Sequence, residues 1–125
     1  MIWLLVGAGG AVGSIARHGL NRIIHQQNLA STFPLGIFLI NVLGSALIGV
    51  LAGAIASGRF PLSFEARTFL IVGVLGGFTT FSSFSFDTLA LVRNGHVGQA
   101  VWNVGGQVGL SLAAVWLGFV AGERI

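Results

Sequence analysis

The sequence has no cysteine and no lysine, and only three of its 125 residues are acidic. Without cysteine there is neither a disulfide framework nor a thiolate metal site. The six arginines are scattered along the chain, whereas a nucleic-acid-binding surface clusters its basic residues. The net charge of +3 therefore reflects the scarcity of acids, and we expect no nucleic-acid partner.

Charged residues make up 7% of the chain and hydrophobic residues 54%, which is more apolar surface than a soluble domain of this size needs. A helix requires roughly 20 apolar residues to cross a hydrocarbon core about 30 Å thick. Four stretches with few or no charges predict spans at about 2–24, 33–57, 66–92 and 97–122. The connections between them are short and polar, so residues 1–125 are expected to form one all-α, four-span transmembrane domain.

The first stretch differs from the others because its last third carries Arg17 and Arg22. Ile2 to Ala16 is apolar and rich in small residues, which is also typical of a secretory signal peptide. No basic residues follow Met1 as they do in such a peptide, so we interpret this stretch as a span.

The arginines are divided evenly between the two faces that four spans define. Three lie on the face of the termini and three on the opposite face: Arg59, Arg67 and Arg124 against Arg17, Arg22 and Arg93. Cytoplasmic loops normally carry the excess of basic residues. An even division predicts insertion in both orientations and antiparallel pairing of two copies. The alternative is that subtler signals fix a single orientation.

Glycine occurs 20 times, and often at four-residue spacing. The pairs are Gly9/Gly13, Gly49/Gly53, Gly73/Gly77, Gly105/Gly109 and Gly118/Gly122. This spacing places small residues on one face of a helix, where two backbones approach closely. We expect tight packing within the chain or between copies. An oligomer is favoured because four short helices enclose little space.

Five hydroxyl residues fall between Thr79 and Ser85, directly after Gly76 and Gly77. Paired glycine and paired threonine are poor helix formers, so we predict a break near the middle of the third helix. Broken backbone at membrane depth persists only where it is buried in protein or lines a cavity. The alternative is an intact helix whose hydroxyls bond back to the preceding turn.

Phenylalanine alternates with these hydroxyls, at Phe78, Phe81 and Phe84. Residues three apart share a helix face, and such stripes commonly serve core packing. The edge of an aromatic ring is electropositive, so ring edges next to hydroxyl donors form a weakly attractive surface for a small anion.

Uncharged polar residues also lie within the second and fourth spans. Asn41 is in the second, and Asn103, Gln107 and Ser111 follow one another at four-residue spacing in the fourth. Polar side chains within hydrocarbon are costly and by default mark a pathway for a solute. Interhelical hydrogen bonding is the alternative.

No carboxylate lies between Ile2 and Ala16, where an exporter of the small multidrug resistance type depends on one. The three histidines, His18, His25 and His96, lie at span ends, where interfacial roles are more common than catalytic ones. We therefore expect that the protein is not an enzyme. A path lined by neutral donors suits passive conduction of a small anion. A small structural subunit of a larger membrane complex is the alternative function.

The run Gly76-Gly77-Phe78-Thr79-Thr80-Phe81-Ser82-Ser83-Phe84-Ser85 resembles the third-span signature of the Fluc (CrcB-type) fluoride channels. Gly13 to Arg17, Pro34 to Gly36, and Asn41 are similar to the family's first and second spans. The resemblance covers essentially the whole chain. It implies an antiparallel, dual-topology homodimer in the bacterial plasma membrane that exports fluoride passively and relieves fluoride toxicity.

The resemblance also implies roles for individual residues. The fluoride pathway would be lined by Phe81, Phe84, Asn41, Thr80, Ser82, Asn103, Gln107 and Ser111. The backbone carbonyls of Gly76 and Thr79 from both copies would hold a structural sodium ion, and Arg17 would lie near the vestibule. The chain departs from the family pattern at Val115, where threonine is usual, and at Asp87, where glutamate is usual.

Overall fold

Helices make up nearly all of the computed structural model, which describes residues 1–125, and there are no strands. The elements in chain order are α1 (Ile2–Gln27), α2 (Leu35–Ala56), α3 (Phe64–Arg67), a π-helical segment (Thr68–Leu75), α4 (Gly76–Phe78), α5 (Phe81–Arg93) and α6 (Val97–Glu123). From α3 to α5 they follow one another along a single long rod, the third span. The architecture is therefore four long helical rods, the third of which is interrupted.

The helix ends have local causes. Pro34 precedes α2 and lacks the N–H that a helix start leaves unpaired. After α5, Gly95 adopts a positive φ of 82°, and His96 N–H bonds the Leu91 carbonyl at 2.8 Å while Gly95 N–H bonds the Val92 carbonyl at 3.1 Å. These two bonds form a Schellman motif, which ends the helix and turns the chain sharply into α6.

Glycine brings the rods together in two pairs, α1 with the third span and α2 with α6. A Cβ atom on Gly9 would lie 2.6 Å from the Phe69 carbonyl oxygen, and one on Gly77 would lie 2.5 Å from that of Gly10. In the other pair, a Cβ on Gly118 would lie 2.5 Å from the Ala46 carbonyl oxygen. The backbones are therefore in direct contact, as the four-residue spacing predicts.

Gly105 and Gly109 behave differently from the other four pairs. No atom lies within 4 Å of a Cβ built on either residue, and both lie on the exposed face of α6. This pair takes no part in packing within one chain.

Three helices are long and apolar enough to cross a membrane: Leu35–Ala56, Phe64–Arg93 and Val97–Glu123. Large apolar side chains such as Trp3, Trp102 and Trp116 are exposed on the outer surface. A water-soluble monomer rarely exposes so much apolar surface, so the chain is a multi-pass membrane protein. Helix α1 has the length of a span, but its second half contains Arg17, His18 and Arg22.

The predicted break in the third helix is confirmed. Thr79 (φ −90°, ψ 155°) and Thr80 (φ −153°, ψ 120°) have extended backbone between α4 and α5. The π-helical segment before the break was not predicted, because hydrophobic periodicity does not distinguish a wide helical turn from an ordinary one.

Candidate functional site at the interrupted helix

The interruption is bridged by a side chain from another helix. Asn41 of α2 donates from Nδ2 to the Thr80 carbonyl at 3.1 Å and accepts the Thr80 N–H on Oδ1 at 2.9 Å. A side-chain amide carries the same donor and acceptor as a peptide group. Asn41 thus replaces the helical partners that the extended backbone of Thr80 has lost.

Asn41 is also part of a longer chain of hydrogen bonds through α2, α6 and α5. Its Nδ2 donates to Gln107 Oε1, and Gln107 Nε2 donates to Asn103 Oδ1 at 3.0 Å. Asn103 Nδ2 donates to Thr88 Oγ1 at 2.9 Å, and Thr88 Oγ1 donates to the Phe84 carbonyl at 2.8 Å. We call this series the amide relay; its members in order are Thr80, Asn41, Gln107, Asn103, Thr88 and Phe84.

The fourth-span polar stripe is largely buried in this relay. Asn103 is 0% exposed and Gln107 4% exposed. Amides at such depth are stable only when they are hydrogen-bonded, and each bonds its neighbours in the relay. Ser111 differs, because its buried Oγ has no hydrogen-bond partner within the chain.

The hydroxyls that follow the break divide into two groups. Thr79 and Ser85 bond back to carbonyls one turn earlier, at 3.0 Å each. Thr80 caps α5, because its Oγ1 accepts the Ser83 N–H at 3.2 Å and lies 3.1 Å from Ser82 Oγ. Both interpretations of the hydroxyls, back-bonding and clustering at a break, therefore apply to different members of the set.

An open pocket of about 340 Å³ lies beside the interruption, between α2, the third span and α6. Most of the residues singled out from the sequence line it: Asn41, Gly76, Thr79, Thr80, Phe81, Phe84, Gln107 and Ser111. Its lining includes hydroxyls, amides and aromatic rings but no charged side chain. Such a wall offers a small ion weak contacts in place of water.

Phe81 and Phe84 form a ring pair at the edge of this pocket. Their centroids are 5.3 Å apart and their planes are inclined at 52°. Phe84 is 8% exposed and Phe81 is 77% exposed. The pair therefore extends from the interior of the chain to its outer surface.

The interruption also deprives two backbone carbonyls, those of Gly76 and Thr79, of the hydrogen bonds they would accept in a continuous helix. In a continuous helix the Thr80 N–H would bond the Gly76 carbonyl, but here it donates to Asn41. The Thr79 carbonyl accepts no hydrogen bond within the chain. Carbonyls freed at a broken helix are ligands suited to Na⁺.

Three of the sequence-predicted residues do not line the pocket. Asn103 is buried behind it, Ser82 lies on the exposed face of α5, and Arg17 is half-exposed on α1. Asp87 lines two other cavities near the α1–α2 connection, and its Oδ2 has no hydrogen-bond partner.

Sequence reasoning missed Thr88, which links α5 to α6 through Asn103. The available signal is its spacing, because Thr80, Phe84 and Thr88 recur every four residues and so share one face of a helix. An intramembrane hydroxyl on that face is a candidate partner for the polar residues of the fourth span.

The fold and the site define a polytopic helical membrane protein in which an interrupted span lines an uncharged polar pocket. Residues 4–119 match the family described as "CrcB-like protein, Camphor Resistance (CrcB)". The chain belongs to this family, which confirms the resemblance inferred from the third-span sequence.

Curated relatives extend over almost the full length of the chain. A protein of Thermus thermophilus named "Fluoride-specific ion channel FluC" is 48% identical over 123 residues, which is 98% of this chain and 96% of the relative. Proteins with the same name are 46% identical in Opitutus terrae, over 96% of this chain and 91% of the relative, and 48% identical in Paramagnetospirillum magneticum, over 100% and 98%.

Proposed function

We propose that this chain is a passive, fluoride-selective ion channel that exports fluoride across the bacterial plasma membrane. The observation that carries the proposal is the pocket at the interrupted third helix, with its neutral lining of hydroxyls, amides and ring edges. The names of the relatives and the family membership support the same function.

The lining suits the chemistry of fluoride. Fluoride is small and strongly hydrated, so a pathway must replace its water with hydrogen-bond donors at short range. Ser111 Oγ, which has no partner in the chain, is such a donor within the pocket. The ring edges of Phe81 and Phe84 add a weaker attraction. Without a fixed positive charge the anion is held loosely enough to leave again.

We further propose that α1 is a fourth span and that two copies pair in antiparallel orientation. One chain leaves its site incomplete, because Phe81 is largely exposed and the pocket is open to the outside. The exposed glycine pair Gly105/Gly109 leaves part of α6 free for close contact with another helix. The even division of arginines supports insertion in both orientations.

Within that dimer, the carbonyls of Gly76 and Thr79 from both copies would hold one sodium ion as a structural cofactor. The loss of the Thr80 N–H from Gly76 and the unbonded Thr79 carbonyl support this assignment. A bound sodium ion would supply positive charge that stabilises the two interrupted helices against each other.

Passive conduction is sufficient for export. Outside an acid-exposed cell, fluoride is partly present as HF, which crosses the bilayer and dissociates at cytoplasmic pH. The inside-negative potential then drives the trapped anion outward through the channel. No proton-coupling carboxylate is needed in the pocket, and none lines it.

The test is fluoride efflux from liposomes that contain the purified protein, with a potassium gradient and valinomycin setting the potential. We expect fluoride release and, in parallel liposomes, negligible chloride release. An absence of fluoride release would reject the channel and favour a structural subunit of a larger complex. Release that requires a proton gradient would instead favour an exporter. Equal chloride release would remove only the selectivity.

A further inference from the structure

The two ends of the amide relay are backbone groups of fixed polarity. At one end, the Thr80 N–H only donates and its carbonyl only accepts, so Asn41 has a single satisfied orientation. At the other end, the Phe84 carbonyl only accepts, so the Thr88 hydroxyl donates to it and remains an acceptor for Asn103.

Between these ends, the orientation of each amide dictates that of the next. The Asn41 Nδ2 faces Gln107, which must therefore present Oε1 to it and direct Nε2 toward Asn103. Asn103 then directs its own Nδ2 toward Thr88. A reversed Gln107 would place its Nε2 against the Asn41 Nδ2, two donors facing each other. Both ends of the relay demand the same direction, so its bonds reinforce one another.

The direction of the relay determines which amide N–H groups remain free to donate in the pocket. Both N–H groups of Asn41 Nδ2 are used, one by the Thr80 carbonyl and one by Gln107. Gln107 Nε2 has two N–H groups and donates only one of them within the relay. Gln107 lines the pocket whereas Asn103 does not. Since an N–H attracts an anion and a carbonyl oxygen repels it, the orientation of Gln107 affects how the pocket receives fluoride.

We propose that Thr88 is a positioning residue which, through Asn103, holds Gln107 in the orientation that offers an N–H rather than a carbonyl oxygen to an anion in the pocket. The proposal rests on the fluoride-channel function proposed above. Thr88 does not line the pocket itself, so it acts through the relay and not by contact with the ion.

Removal of the Thr88 hydroxyl frees one end of the relay. In Thr88→Val the side chain keeps its branched shape, but Asn103 Nδ2 loses its acceptor at a site that is 0% exposed. A buried donor without a partner favours rearrangement of Asn103. The orientation of Gln107 is then fixed only from the Asn41 end of the relay, so Gln107 is held less firmly. We expect fluoride flux to fall about tenfold, which corresponds to about 1.4 kcal/mol on the barrier.

The chain offers a matched control at Thr68. Its Oγ1 also bonds a carbonyl four residues earlier, that of Phe64 at 2.9 Å, and it is buried in the same span. It has no second partner and does not line the pocket. Thr68→Val therefore removes an equivalent hydroxyl without touching the relay, and should retain the wild-type flux. Thr88→Ser keeps the hydroxyl and should restore most of the flux lost in Thr88→Val.

The experiment compares fluoride and chloride flux for wild type and the three variants in one liposome series, with folding checked by gel filtration. A second readout is the ¹⁵N signal of the side-chain amides of Gln107 and Asn41, which should shift in Thr88→Val but not in Thr68→Val. If Thr88→Val does not fold, Thr88→Ala and Thr88→Ser replace it, and only the serine variant should conduct well.

The possible outcomes distinguish a failure of the proposed role of Thr88 from a failure of the proposed channel function. A wild-type protein without fluoride flux would reject the channel itself. With a conducting wild type, unchanged flux and unchanged amide signals in a folded hydroxyl-free variant would overturn the role of Thr88. Equal losses in Thr88→Val and Thr68→Val would also overturn it, since they would point to a general packing effect.

Discussion

The side chain of Asn41 bonds both the carbonyl and the N–H of Thr80, 39 residues away in the sequence, at 3.1 Å and 2.9 Å. This pairing explains how a break within an apolar helix is tolerated. The N–H and carbonyl of Thr80, which the break leaves without helical partners, are paired inside the protein, where no water replaces those partners. The interruption is thus a property of two spans and not of the third span alone.

Asn41→Leu should therefore destabilise the fold. Leucine has a similar size but leaves the Thr80 N–H and carbonyl unpaired, at a cost of about 1–3 kcal/mol for a buried polar group. The measurement is the thermal unfolding midpoint in detergent. The control is Gln99→Leu, which removes an exposed hydrogen bond from Thr32 Oγ1 and should change the midpoint little. Equal midpoints for wild type and Asn41→Leu would contradict the bridging role.

Glycine packing gives a second prediction. An alanine methyl at Gly9 would lie 2.6 Å from the Phe69 carbonyl oxygen, which is backbone and cannot turn aside. Gly9→Ala should force α1 away from the third span and cost about 1–3 kcal/mol, as overpacking does. Gly19→Ala lies on the same helix, meets no atom within 4 Å and is the matched control. Its unfolding midpoint should not fall below the wild-type value.

Much of this fold could be predicted because its signals are local. Gly76, Gly77 and the two following threonines lie together in the sequence, and they mark the break. The glycine spacing of α1 and the third span likewise predicts a close helix contact. Three of the four rods can be recognised as membrane helices from their length and from stretches with high hydropathy and few charges.

The relay could not be predicted, because its bonds join residues from different helices. The pattern of Asn103, Gln107 and Ser111 was equally compatible with a pathway and with interhelical bonding, and only their positions show that Asn103 is fully buried. The partner of Asn103, Thr88, lies on another helix, and no periodicity within α6 indicates it. Helix register against a neighbour is a tertiary property, which a single sequence does not specify.

Sodium dependence tests the proposed cation site. Complete replacement of sodium by a large organic cation should abolish or strongly lower fluoride flux. Thr79→Ala should be mild, because the proposed ligand is the backbone carbonyl and the hydroxyl bonds the Leu75 carbonyl of its own helix at 3.0 Å. Full flux after exhaustive sodium removal would contradict the site. A loss of flux in Thr79→Ala that sodium does not influence would point to packing instead.

Dual topology is testable because the chain contains no cysteine. Ala30→Cys places one thiol in the exposed connection between α1 and α2, and a membrane-impermeant reagent should label about half of the molecules from each side of intact vesicles. The control adds Arg22→Gln and Arg93→Gln, which leave most of the basic residues on one face and should drive labelling to one side. One-sided labelling without these changes would exclude antiparallel pairing.

The ring pair gives the last prediction. Phe81→Ile and Phe84→Ile keep much of the apolar volume but remove the electropositive ring edge. Phe84 is buried, so its replacement should cost about 1 kcal/mol of stability, whereas the largely exposed Phe81 should tolerate the change with little loss. If the ring edges carry fluoride, both variants should fold and run as the wild type on gel filtration, yet conduct fluoride much more slowly.

The two residues together separate conduction from packing. A purely structural ring pair would make stability and flux fall together, and only in Phe84→Ile, since Phe81 contributes little to the interior. Phe86→Ile is the matched control, because it is another exposed phenylalanine of α5 that does not line the pocket. Wild-type fluoride flux in Phe81→Ile would therefore reject the aromatic contribution at that residue. The remaining candidates for donating to the anion would then be Gln107 Nε2 and the hydroxyl of Ser111, which line the same pocket as the rings.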